Sequence, residues 1–109
     1  MSRDASGRYH YAATEAAGTS DPLVVATLQP GPTPGSNGAW LTVSLTPNGT
    51  SAKVQYTIST VEAVEADTAN WFDWASGVVT AGTIDSLIAP VTALRVVSTG
   101  GTASWEVRG

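Results

Sequence analysis

Cysteine is absent from the 109 residues, and lysine, histidine, methionine and phenylalanine each occur once. Without cysteine there is no disulfide framework and no thiolate metal site, and the redox compartment is left open. Charged residues make up 13% of the chain, about half the usual share. Five Lys plus Arg stand against nine Asp plus Glu, for a formal net charge of −4. A nucleic-acid partner needs a basic footprint, which this composition lacks. No apolar run approaches the roughly 18 residues of a spanning helix, so no membrane partner is expected. The polar start, Met-Ser-Arg-Asp-Ala-Ser-Gly-Arg, gives no expectation of a signal peptide. A chain of this length supports one modest core, hence one domain.

What the chain does have is hydroxyls. Ser and Thr supply roughly a quarter of it, and Val and Thr are abundant. β-Branched side chains fit a pleated surface, so this is a β-sheet composition. The pattern along the chain agrees. Leu23–Leu28 reads as a short strand. Residues 29–38 carry three prolines and three glycines, which neither pair in a ladder nor continue a helix, so a loop is expected there. Leu41, Val43 and Leu45 alternate with Trp40, Thr42 and Ser44. After Pro47-Asn48-Gly49, Ala52, Val54, Tyr56 and Ile58 alternate with Lys53, Gln55 and Thr57. The spacing predicts a hairpin about Asn48-Gly49. Leu94 and Val96, then Ala103, Trp105 and Val107, predict a second hairpin about Gly100-Gly101. Trp71–Trp74, Val78–Thr80 and Ile84–Ile88 are short apolar pieces, while Val61–Asn70 fits either a helical turn or a connection. Short strands at this spacing predict an all-β antiparallel sandwich or barrel.

Residues 1–20 lack sustained periodicity. They are expected to form an N-terminal arm or partial strand ending at Asp21-Pro22, with the sandwich over 21–109. Arg3 and Arg8, two of the five basic residues, lie there with Tyr9, His10 and Tyr11. Arg and Tyr are common interface anchors, so Arg3, Arg8, Tyr9 and Tyr11 are candidate partner-binding residues.

Catalytic chemistry finds little to work with. His10 has no Gly-x-Ser-x-Gly elbow to serve, and a triad needs a held serine and an orienting carboxylate. Glu62, Glu65, Asp67, Asp73 and Asp85 form an acidic band without an Asp-x-Asp-x-Asp-Gly loop. They are read as solvated charges in preference to a glycosidase pair or a calcium site. No catalytic residue, metal or cofactor is expected, and the chain is not expected to be an enzyme. Trp71 and Trp74 are three apart, so on a strand they face opposite sides. One is then buried, and the other suits a sugar platform or a protein contact. Trp71 joins the candidate partner-binding set. Arg95 is expected to pair with Glu106 across the second hairpin, in preference to anchoring a partner carboxylate.

The succession Tyr56-Thr57-Ile58, Trp71-Phe72-Asp73-Trp74, Gly77, Pro90-Val91-Thr92-Ala93-Leu94-Arg95-Val96 and Gly100-Gly101-Thr102-Ala103 resembles a known family. It is similar to the small jelly-roll-like β-sandwich decoration, or cement, proteins of tailed-bacteriophage capsids, over about residues 52–108. The resemblance implies a jelly-roll sandwich and a structural role in the virion. Such a protein is assembled in the host cytoplasm, sits on the capsid exterior and bridges neighbouring capsid subunits. Its partners would be the major capsid protein and further copies of itself as a homo-oligomer. Similar patterns occur in tail, baseplate and head-fibre modules and in carbohydrate-binding sandwiches, which are the alternative readings.

Overall fold

A computed structural model describes residues 2–3, 9–25, 41–87 and 91–108. Arg8, Trp40 and the 29–38 loop lie outside the described residues, as do the side chains of Arg3 and Tyr9. In chain order the elements are β1 (Ser2–Arg3), β2 (Tyr9–Glu15), β3 (Gly18–Thr19), β4 (Leu23–Val24), β5 (Leu41–Pro47), β6 (Ser51–Thr57), α1 (Val61–Glu65), β7 (Phe72–Asp73), β8 (Thr83–Leu87), β9 (Ala93–Thr99) and β10 (Ala103–Arg108). They form two antiparallel sheets packed as a sandwich, an all-β fold. Sheet A has the order β1-β2-β10-β5-β8; sheet B has β3-β9-β6-β7, with β4 also paired to β9.

The period-2 pattern decides which side chains enter the core. On sheet A, Val43 and Leu45 of β5 stand opposite Val107 and Trp105 of β10, and Leu41 and Ala103 are buried beside them. Val54 of β6 and Leu94 and Val96 of β9 face them from sheet B. Tyr56 packs against the same cluster, half-buried. Ile58 does not follow its expected phase: β6 ends at Thr57, and Ile58 is 69% exposed. Thr57 is buried in its place, its hydroxyl accepting the Ser59 N–H.

Both expected hairpins are corrected. β5 and β6 lie in different sheets, and so do β9 and β10. The turns at 48–50 and 100–101 are therefore corners that carry the chain from one sheet to the other. The corners are stacked: Asn48 N–H donates to Thr102 O at 2.8 Å, and Thr50 N–H to Thr99 O at 2.9 Å. A residue pattern of strand, Asn-Gly, strand specifies a reversal but not whether its strands share a ladder. Stacking requires close backbone approach. A Cβ on Gly49 would land on the Gly101 backbone nitrogen, and Gly100 has φ +79°. Gly49→Ala is expected to cost about 1–3 kcal/mol through forced separation of the corners. Gly82→Ala, whose Cβ would meet only Thr46 Oγ1 at 3.4 Å, should be near neutral. Denaturant unfolding of the two variants checks the contrast.

The described residues before Asp21, expected as an arm or partial strand, lie in strands of both sheets. Residues 10–15 pair with Ala103–Arg108 over six positions, so β2 is a strand of sheet A flanking β10. The chain crosses to sheet B at Ala16-Ala17, and Gly18 and Thr19 pair with Ser98 and Val97. The Ser20 hydroxyl accepts the Val96 N–H at 2.9 Å, carrying the edge on to β4. The strand was hidden because Ala12 and Ala13 stand on opposite faces of β2 and give no hydropathy contrast.

α1 resolves the ambiguity at 61–70. Thr60 is its N-cap, the hydroxyl accepting the Ala63 N–H, and Glu62 lies in the first turn, where the helix dipole favours an acid. The helix stops in a Schellman arrangement. Thr68 N–H donates to Ala63 O and Asp67 N–H to Val64 O, with Asp67 in the left-handed region at φ 59°.

Candidate functional site

Each sheet turns one face outward. On sheet A the outward positions of β2, β10 and β5 are small and hydroxylic. Ala12, Thr14, Ser44, Thr46, Ser104 and Glu106 line a shallow depression of about 360 Å³. At its rim His10 Nε2 lies 3.0 Å from Glu106 Oε2, and Ile84 of β8 is 71% exposed. Glu106 is thus engaged with His10, in the opposite sheet from Arg95. This corrects the expected Arg95–Glu106 pair, which required β9 and β10 to be hydrogen-bonded neighbours.

Sheet B carries a connected polar row instead. β7, β6 and β9 bring Asp73, Gln55 and Arg95 into one cross-strand line. Lys53 Nζ lies 3.2 Å from Asp73 Oδ1. Gln55 Nε2 donates to Asp73 Oδ1 at 3.0 Å, and Arg95 Nε donates to Gln55 Oε1 at 2.8 Å. The Arg95 guanidinium carbon sits 4.2 Å from the centroid of the Trp71 ring, a cation–π stack. The segment after α1 therefore folds against the outward side of sheet B. Partial burial lowers the Arg95 pKa from its high ordinary value, and the nearby Asp67 carboxylate opposes this; the group stays charged at any ordinary pH.

Asp73 is held below the usual carboxylate range by the Gln55 amide first and the Lys53 ammonium second. Asp85 is held low by the Ser76 hydroxyl, which donates at 2.7 Å, and by the Ser86 N–H. A carboxyl with a depressed folded pKa stabilises the fold above its unfolded pKa, and that contribution is lost as pH falls through the folded value. Melting temperature is expected to fall below about pH 4. The double variant Asp73→Asn, Asp85→Asn should show a shallower acid slope; an unchanged slope would assign acid sensitivity to other groups.

The structure does not gather the partner-binding candidates in one place. Arg3 and Tyr9 are register partners across β1 and β2 in sheet A. Tyr11 turns inward, its ring 5.9 Å from that of Trp105 in an edge-on contact, and burial raises its pKa, with the Glu15 charge adding to the shift. Trp71 lies on the far side, in sheet B's row. Trp74 is buried, 2% exposed, with its indole N–H on Gly77 O at 2.7 Å. It offers no sugar platform; Trp71 and Trp74 flank β7, Trp74 in the core and Trp71 half-buried against Arg95. Among the described residues no group of three or more His, Cys, Asp or Glu is placed to hold a metal ion.

Sequence reasoning missed the Lys53–Asp73–Gln55–Arg95 row. Its members occupy the outward phase of β6, β7 and β9, which was legible. That β6 and β9 are neighbours is not, because the Asn48-Gly49 and Gly100-Gly101 reversals offer each of them a hairpin partner next in sequence. Compared with protein-family models, with curated proteins and with solved structures, the chain matches none.

Proposed function

We propose that this chain is a jelly-roll binding module that serves as a virion structural protein, a decoration or cement protein on the exterior of a tailed-phage capsid. The observation that carries the reading is the strand order. With the two-residue edge strand β1 set aside and β3 and β4 taken as one interrupted edge strand, the sheets run β2-β10-β5-β8 and β3/β4-β9-β6-β7. Among these eight strands, successive ones change sheet at every connection except β6 to β7. This order supports a double Greek key, the jelly roll used by viral capsid and lectin domains. The low overall charge of the chain and the hydroxyl-rich depression on sheet A support a docking role, since few ions need to be desolvated there. Many copies, each making modest contacts across neighbouring capsid subunits, would stabilise the shell through multivalency. The partners are the major capsid protein and further copies of this chain.

The test is cosedimentation with shells of the virus that encodes the chain, prepared without it. Saturable binding at a fixed number of copies per shell is expected. Pelleting at background level would remove the decoration reading. The hydroxyl-lined depression on sheet A favours a second reading, a carbohydrate-binding module. A glycan array separates the two: selective glycan binding by a protein that ignores shells would replace the first reading with the second.

A further inference from the structure

We infer that Arg95, clamped between Trp71 and Gln55, is the anchor by which the outward face of sheet B takes a carboxylate side chain of a protein partner. The inference deepens the decoration reading and rests on it for the partner's identity. Three observations point to it. First, the guanidinium is held in one orientation. Its Nε–H is fixed on Gln55 Oε1, Gln55 is fixed on Asp73, Asp73 is fixed by Lys53, and the Trp71 ring lies against its plane. Such a fork has little conformational freedom left to lose on binding. Second, its charge is not spent. Lys53 has Asp73 as a partner, but no carboxylate lies within ion-pair distance of Arg95 among the described residues. Asp67 acts on it only at longer range. Third, both terminal Nη groups have no acceptor among the described residues, while Nε is satisfied. The unused edge is the one that binds a carboxylate bidentately. A half-buried cation with that edge open is complementary to an acidic group. The indole face toward Arg95 is occupied, which removes it as a stacking surface for a sugar ring and favours an Asp or Glu of a protein.

The ¹⁵N-labelled protein is titrated at low ionic strength with N-acetyl-glutamate amide, N-acetyl-glutamine amide and glucuronate. The Arg95 Nε–H and Trp71 Nε1–H resonances report the site. Saturable shifts of both with the glutamate probe, and none with the glutamine probe, are expected. Arg95→Gln should weaken that binding roughly tenfold or more, the scale of a charged hydrogen bond. Arg95→Lys, which keeps a charge but loses the fork, should weaken it roughly fivefold. No saturable shift, or equal binding by Arg95→Lys, overturns the proposal; so does saturation by glucuronate alone, which would make the ligand an acidic sugar. Shell cosedimentation separates this from the functional reading. Undiminished shell binding by folded Arg95→Gln overturns the anchor and leaves decoration standing. Glutamate binding by a protein that ignores shells upholds the carboxylate site and removes decoration.

Discussion

A chain beginning at Asp21 is expected not to fold. Deleting residues 1–20 removes β2, which pairs with β10 over six positions, and β3, which pairs with β9. It also strips the central tryptophan of sheet A. Tyr11 leaves one edge of the Trp105 ring, and Glu15 no longer accepts its indole N–H, a bond of 2.9 Å. β10 changes from an interior strand to an unpaired edge with apolar side chains beneath it. Lost burial of Tyr11 and Ala13, an orphaned donor and an open ladder together exceed what a small domain has in reserve, about 5–15 kcal/mol. Circular dichroism should show no cooperative thermal transition, and near-ultraviolet signals should be lost. A truncated chain with a near-native melting curve would restore the division at Asp21 and make β2 dispensable.

Trp105→Ala is expected to have the largest effect of any single substitution. The side chain is 2% exposed and sits mid-strand on β10, opposite Ala13 of β2 and Leu45 of β5. Replacing it removes the apolar burial, leaves a cavity between the sheets and deprives Tyr11 and Glu15 of their partner. A loss of about 3–5 kcal/mol is expected, close to the whole stability of many domains of this size. Trp105→Phe keeps most of the burial and should fall well short of that cost. Urea unfolding of the pair measures both. A soluble Trp105→Ala protein with an unchanged midpoint would show that the two sheets do not close over this residue.

Much of the fold was legible, for a physical reason. In β5 and β10 the contrast between inward Leu, Val or Trp and outward polar residues is strong, and Leu45 and Trp105 are buried as their phase requires; in β9 it is blurred by outward Val97 and inward Ser98, yet Leu94 and Val96 are buried in phase. Trp71 and Trp74 flank the two-residue β7 and lie on opposite sides of the chain, Trp71 against Arg95 and Trp74 in the core. Pairing was less legible than phase. Asn48-Gly49 and Gly100-Gly101 mark reversals of the chain. Whether a reversal closes a hairpin or turns a corner is decided by which strands lie beside it, and that is non-local. The stacked glycines of the two corners are the sequence trace of the second outcome. β2 escaped because alanines on both of its faces erase the period. The polar row on sheet B could be assembled only once β6, β7 and β9 were known to be neighbours. Arg95 was assigned to Glu106 by the same hairpin assumption that misplaced the strands.

Capsid decoration by this β-sandwich is the proposal on which the functional reading turns. Electron cryomicroscopy of the intact virion that carries it tests this most directly. The expected result is density matching the two-sheet fold on the outer surface of the head, repeated with the symmetry of the shell and spanning neighbouring capsid subunits. Density confined to the tail, baseplate or fibres, or a virion whose protein inventory lacks the chain, would contradict it.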